Sequence, residues 1–487
     1  MSITNKILSG FRIDLLSRFS KTISGGLLAI VLARLLEPSE YGLLYLSISI
    51  FTIATLAGKL GLGKSAARYV TEYIEDDPQQ IPHIIETAAI ALVITLGAVT
   101  IGLIVAREHL VVIFGEPGLE PLLLAGAAYV FASGVVSSGR RICQGFKKIN
   151  WSAYIMILGA VIRPVVAIGL VLAGFGAVGA LTGHVIGSLS AAALAVGFVY
   201  YQYSGFERGE IKPGLRRQVA EYAVPISLTQ NSDTVIKRVD ILLVGAFLTP
   251  LAVSYYVVAK QVMTFLKAPA TSLGYSLSPR YSEQLRRGNL DTASKLYSDA
   301  LTGVLLFYIP AMVGLVIVAE PTLTLLFGSE YAGGTVVLQI LTVYLIAQAV
   351  AYITEGGLDY LGRAKYRAYA KGTTAVTNLL LNIVLIPTIG IVGAAISTAS
   401  SYAVYVAFNV YLMNLELDLN WRSIGRSCAK ITAVTAVMAV AVLPVASTIT
   451  GLVSLVAVVL FGGLVWLTAS ILVGLIETQE VRSAVPL

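Results

Sequence analysis

Lys237, Arg238 and Lys260 stand inside stretches otherwise apolar enough to cross a lipid bilayer, as do Lys21, Lys59, Lys267 and Arg163. A cation at the centre of a lipid-embedded helix is disfavoured by ~2.5–3.5 kcal/mol, so several in one chain require a partner or a task. With a rise of ~1.5 Å per residue, Lys237, Arg238, Lys260 and Arg163 each lie about ten residues from the outer end of their span. That places them near the middle of a hydrocarbon core ~30 Å thick. Lys21, Lys59 and Lys267 come out closer to the cytoplasmic side. A cavity with excess positive charge selects anions, and both lysine and arginine suit phosphate oxygens. An anion with so tall a path between apolar helices fits the phosphate head of a lipid whose tail stays in the bilayer, although a soluble anion is compatible too.

Helical phase gives these cations a wet face. Asp14, Ser17, Arg18, Lys21, Ser24 and Gly25 recur at spacings of three and four, as do Ser227, Gln230, Asn231, Thr234, Lys237 and Arg238. Each set makes one polar stripe, and lipid satisfies neither, so both must line water or protein. The substrate-binding candidates are therefore Lys237, Arg238, Lys260, Lys21, Lys59, Arg18 and Arg163. A plainer reading pairs Asp14 with Arg18 and Asp233 with Lys237 at i,i+4, and lets Arg18, Lys59 and Lys267 snorkel to the surface. Asp240 pairs with Lys237 at i,i+3 or, with Asp233, holds a coupling ion.

The elements that carry these residues are membrane spans. The 487-residue chain is 56% hydrophobic and 13% charged, with a mean hydropathy of +0.82, outside the soluble globular range. Crossing needs ~20 apolar residues, and about fourteen such runs can be marked. Those bearing the candidates cover positions 15–36, 41–63, 151–173, 219–247 and 251–277, the first, second, fifth, seventh and eighth spans. Loops after even-numbered spans are basic, including Lys64 and Arg68, then Arg140, Arg141, Lys147 and Lys148, and later Arg363, Lys365 and Arg367. Apart from Arg34 at the end of the first span, loops after odd-numbered spans hold a single basic residue, Arg107. Basic loops stay in the cytoplasm, so a multi-pass protein of the cytoplasmic membrane with both termini inside is expected. The same rule absorbs the net charge of +7 and removes nucleic acid as a partner. The first residues lack a compact apolar segment with a cleavage site, so no removable signal is expected.

Residues 153–180 recur, after one deletion, as residues 368–394. Both begin Ala-Tyr, share Ala-Val at 160–161 and 375–376, and close on G-x-V-G-A. A weaker echo links the segments around Pro38 and Pro250. The expected architecture is all-α: two six-helix repeats facing a central cavity, in lobes 1–210 and 211–417, with an extra helix pair and tail at 418–487. Parallel repeats of this kind rock about a shared site. Cys143 and Cys428 fall at cytoplasmic ends, where disulfides are rare. His83, His109 and His184 have no ligand spacing, so neither metal nor cofactor is expected. Tyr275, Tyr344, Tyr352, Tyr402 and Tyr405 could stack on sugars, but packing and interfacial belts explain most membrane tyrosines.

Four motifs carry a family resemblance. A-R-L-L-E-P-S-E-Y-G at 33–42, G-L-G-K-S-A-A-R-Y at 61–69, Q-G-F-K-K at 144–148 and K-R-V-D-I-L-L-V-G at 237–245 resemble, in order, signatures of polysaccharide-type flippases. These belong to the multidrug/oligosaccharidyl-lipid/polysaccharide exporter superfamily. Glu37 replaces the usual glycine. The resemblance implies alternating access, with cavity cations on a polyprenyl- or dolichyl-phosphate-linked glycan, a role falling to Arg18, Lys21, Lys59, Lys237, Arg238 and Lys260. Membrane lipid, H+ or Na+ as coupling ion and a monomer complete the expected partners. The motifs also read as structure, with Pro38 and Gly42 shaping an outer turn and Arg68 anchoring the inner interface. Two rival classes remain. An ion-coupled multidrug exporter of the same superfamily moves cations, which the cavity charge opposes. An integral-membrane glycosyltransferase needs acids in an outer domain, and the short turn holding Glu37 and Glu40 provides little. The one G-x-x-x-x-G-K-[ST] match, at 58–65, runs off the end of an apolar span rather than following a strand, so direct ATP use is not expected.

Overall fold

The computed structural model describes residues 24–476 apart from 268, 272, 275–279, 281–282 and 285–286, and excludes the side chains of 228–233 and 237. Among the described residues every regular element is helical. Ten segments are long and apolar enough to cross a membrane, and the chain is a multi-pass membrane protein. It separates into two compact units, Met1–Ser254 and Tyr255–Leu487.

Unit 1 contains α1 (Ser24–Leu35), α2 (Pro38–Lys59), α3 (Leu62–Asp76), α4 (Ile81–Val105), α5 (Arg107–Phe114), α6 (Leu119–Gly145), α7 (Ile149–Leu170), α8 (Gly176–Tyr203) and α9 (Leu215–Phe247). It also holds the start of α10 (Pro250–Leu266), so compactness extends past position 210, where the sequence repeat turns over. Helix α6 is the hub and packs on α2, α3, α4, α7 and α8. Between helices in lipid there is little hydrophobic drive, so close backbone approach by small residues matters more. The motif glycines serve this purpose. A Cβ on Gly42 would stand 1.8 Å from the Pro250 carbonyl, on Gly145 2.6 Å from that of Ala67, and on Gly245 2.5 Å from Leu46. Arg68 places its guanidinium 4.3 Å from the Tyr222 ring, and Ser65 donates to the Val219 carbonyl at 2.5 Å, so α3 is stapled to α9. The anchoring role read for Arg68 and the turn role of Pro38, at the first position of α2, are both visible.

Unit 2 contains the rest of α10, α11 (Leu290–Ile317), α12 (Ala319–Phe327), α13 (Thr335–Tyr360), α14 (Ala364–Ile389), α15 (Ile391–Leu417), α16 (Trp421–Ala446) and α17 (Leu452–Leu472). Helix α15 packs on α13 and α14, while α11 packs on α13 and α16. Inside it, Glu355 accepts from the Tyr405 hydroxyl at 2.9 Å and pairs with Arg367 at 3.3 Å, which also reaches Asp359. Tyr344, Tyr402 and Tyr405 pack on one another with centroids 4.9 and 5.4 Å apart. Their rings are occupied by packing, as the plainer reading has it.

The sequence echo has a backbone counterpart. The α7–α8 turn passes through Gly176 (φ 51, ψ −143) and the α14–α15 turn through Gly390 (φ 64, ψ −146). Only glycine enters that region cheaply. The closing glycines pack alike: a Cβ on Gly179 would meet Phe175 and Leu170, and one on Gly393 would meet the Leu385 carbonyl at 2.3 Å.

Candidate functional site

Arg163 precedes Pro164 in the middle of α7. Proline has no N–H to offer the carbonyl four residues back. That carbonyl, on Ala160, instead accepts from Ser24 Oγ at 2.6 Å, which docks α1 on α7. The docking sets the surroundings of Arg163: its guanidinium lies 3.7 Å from where a Cβ on Gly25 would stand, and a Cβ on Gly187 of α8 would stand 3.0 Å from its backbone nitrogen. Arg163 Nε is buried with no hydrogen-bond partner among the described residues.

Arg238 reaches the same region from α9. Its Nη1 donates to Ser49 Oγ on α2 at 3.4 Å. Arg163 and Arg238 are both electrostatic neighbours of Tyr45 and of buried His184. Tyr129 of α6, a further neighbour of Arg238, sets its ring edge-on to His184 at 6.1 Å. A cavity of about 220 Å³ opens here, lined by Tyr129, Ser133, Ser137, Arg140, Arg163 and Ser188, among others. Among the described residues no carboxylate lines it or pairs with Arg163 or Arg238. Arg140 and Arg163 line this cavity with several hydroxyls and, among the described residues, no acid, while Arg238 is an electrostatic neighbour of its lining Tyr129. Guanidinium forks supply directed donors and hydroxyls adapt, which suits an oxyanion.

The expected site residues do not all fall here. Arg163 and Arg238 come together, whereas Lys59 lines a different cavity of unit 1. Arg18 and Lys21 lie outside the described residues, as do the side chains of Lys237 and Asp233. Asp240 is buried on α9. Lys260 belongs to unit 2, with its ammonium 4.9 Å from the Tyr256 ring one turn back, and Tyr256 OH is bonded to Thr398 Oγ1 at 3.0 Å. Lys267 stands 5.9 Å from the Tyr344 ring. Arg140 is the lining residue that charge reading misplaced, because it was counted with the cytoplasmic loop. Tyr129, Ser133, Ser137, Arg140 and Gln144 recur at spacings of four and three along α6, a polar stripe that identifies the face.

The family profile described as polysaccharide biosynthesis protein matches residues 31–335, well over half of the sequence. The chain belongs to that family. It is 26% identical over 233 residues to the probable low-salt glycan biosynthesis flippase of Haloferax volcanii, covering 48% of this chain and 49% of that relative. The match thus spans about half the length of that protein. An uncharacterized membrane protein of Methanocaldococcus jannaschii is 22% identical over 446 residues, 86% of each chain. Among solved structures, a lipid II flippase in an inward closed conformation superposes with a TM-score of 0.78 at 16% identity, over 94% of this chain and 98% of that one. An inward-facing multidrug resistance MATE transporter gives 0.66 at 14% identity, over 83% and 96%. The fold is therefore that of the multidrug/oligosaccharidyl-lipid/polysaccharide superfamily, to which this polysaccharide-type family belongs.

Proposed function

We propose that the chain is a flippase, carrying a polyprenyl- or dolichyl-phosphate-linked saccharide across the cytoplasmic membrane by alternating access, for surface polysaccharide or protein glycosylation. The observation that carries this reading is the meeting of Arg163 and Arg238 around Tyr45 and His184 with no acid beside them among the described residues. A multidrug exporter for cations would meet repulsion there, so the charge favours an anionic head group over the superfamily's other substrate class. Lys260, Lys237, Lys21 and Arg18 are assigned to the same phosphate. Asp240 and Asp233 are assigned to the coupling ion or to neutralising Lys237. The working unit in this reading is a monomer that performs transport and no covalent chemistry.

Loss of the protein is expected to leave lipid-linked saccharide accumulating on the cytoplasmic leaflet while its synthesis continues. Measurement of leaflet distribution in a deletion strain checks this. Unchanged surface glycan with heightened sensitivity to cationic dyes would instead support the exporter class, and conversion of a sugar donor by the purified protein would support an enzyme.

The same reading assigns fourteen crossings, to α1, α2, α4, α6–α11 and α13–α17, with the intervening α3, α5 and α12 lying at the surfaces. Cysteine placed at exposed Ser39 is expected to react with an impermeant thiol reagent from outside the cell. Cysteine at exposed Lys147 is expected to react only after the inner face is opened. Native Cys143 is too buried to report. Reversed labelling of the two positions would invert the topology.

A further inference from the structure

The turn from α2 to α3 closes over a second cavity of unit 1, about 260 Å³ in volume. Lys59, Lys64, Arg141, Ser137, Ser227 and Thr234 are among its lining residues. Its walls are held by backbone packing. Leu60 (φ 42) and Gly61 (φ 74) take the left-handed conformation. A Cβ on Gly61 would lie 2.4 Å from the Ala223 carbonyl of α9, and one on Gly63 would lie 2.5 Å from Ser138 Cα of α6. The first turn of the 15-residue helix α3 lines the same space, through Gly63 and Lys64.

Charge accounting makes the cavity unusual. Among the described residues no acid lines it. Of the acids further along α3 and at its exit, Glu72 pairs with Arg68, Glu75 with Lys147 and Asp77 with Lys212, and Asp76 at the far end of the helix does not line the cavity. Lys147 holds the Glu75 carboxyl below the usual range, and Asp77 holds the Lys212 ammonium above it, as hydrogen-bonded ion pairs do. Lys64 behaves in the opposite way: burial, and to a lesser degree the charge of Arg141, lower its proton affinity. Among the described residues Arg141 itself has the Gln144 amide oxygen, at 3.3 Å, and no acid. Three like charges gathered by packed backbone, with hydroxyls among them and the acids turned away, cost energy unless an anion joins them.

We propose that Lys59, Lys64 and Arg141 form a second phosphate-binding site, distinct from the cavity lined by Arg140 and Arg163. Its ligand is a phosphate or diphosphate group, whether from an isoprenoid carrier, a free diphosphate or an anionic phospholipid head. Lys64 and Arg141, which the sequence reading treated only as topology charges, are its defining residues.

The test uses the full-length protein purified into phosphatidylcholine nanodiscs, with inorganic diphosphate as the first probe. Diphosphate is expected to protect Lys64 from an amine-reactive reagent, read by peptide mass spectrometry. The Lys64→Gln/Arg141→Gln pair is expected to lose roughly tenfold or more in diphosphate affinity, since each lost contact involves a charged group. Arg238→Gln should leave the protection of Lys64 intact, because Arg238 does not line this cavity. Nanodiscs doped with phosphatidylglycerol, or with a polyprenyl phosphate, distinguish the sources by which of them protects Lys64. If the double variant keeps a parent-like melting profile and binds diphosphate as the parent does, the site is overturned. Labelling of Lys64 that none of the three probes changes overturns it equally, and does so without requiring any variant to fold.

Discussion

Arg238→Gln is expected to cut export at least tenfold while leaving the protein as abundant and at least as heat-stable as its parent. The two halves of that result follow from one arrangement. Arg238 is half-buried, among the described residues touches only the Ser49 hydroxyl by hydrogen bond, and shares Tyr45 and His184 with a second arginine. Taking a charge out of water is costly when no opposite charge repays it, so neutralising Arg238 removes both desolvation and repulsion. Its benefit appears only when an anion enters. A hydrogen bond to a charged group is worth ~1.5–3 kcal/mol, which is roughly tenfold or more in affinity at ~1.4 kcal/mol per decade. Arg238→Lys is expected to fall between, keeping the charge and losing the planar fork. Flipping of a lipid-linked saccharide in proteoliposomes, beside a melting curve, checks both halves. A variant that transports normally, or one that fails because it no longer accumulates, would return Arg238 to a structural role.

The membrane class, the helical architecture and the family were legible in the sequence because they depend on long runs and on glycines whose spacing survives as motif. Gly42, Gly145 and Gly245 stood out as signature residues, and their role is backbone approach between helices, which no pattern along one helix can display. The same limit explains the site. Arg163 and Arg238 were found by their cost in lipid, a property of each residue alone. Their meeting around His184 depends on the docking of α1 on the carbonyl freed by Pro164, and that is a three-dimensional event. Depth sets Lys59 nearer the cytoplasmic side than the midplane cations with which it is grouped as a phosphate ligand, and it ends α2 at the tight turn, lining a cavity with Lys64 and Arg141. Arg140 and Arg141 are adjacent, yet a helix sends neighbours about 100° apart, so one joins the Arg163 cavity and the other the Lys59 cavity. Loop charge counting merges such pairs; helical phase along α6 separates them.

Lys260 provides the strongest graded test, because its charge can be altered in both directions. Its stem packs on Tyr256, itself buried and fixed by Thr398, so the ammonium has a defined position in unit 2 independent of any ligand. If that ammonium holds substrate phosphate, export should follow charge. Lys260→Arg should retain most function, since the cation and its contact with the Tyr256 ring both survive. Lys260→Gln should lose roughly tenfold, the scale of one charged hydrogen bond. Lys260→Glu should fall furthest, because it sets an anion against an anion. Abundance should stay level across the series: the side chain is half-buried, and its removal leaves a packed tyrosine rather than a cavity. A lysine needed only for packing or pairing predicts another order, with protein level falling for Gln and Glu alike and export per molecule unchanged. Export normalised to protein in the membrane, measured across the three variants, separates the two. Full export by Lys260→Glu at normal abundance would remove this residue from phosphate binding.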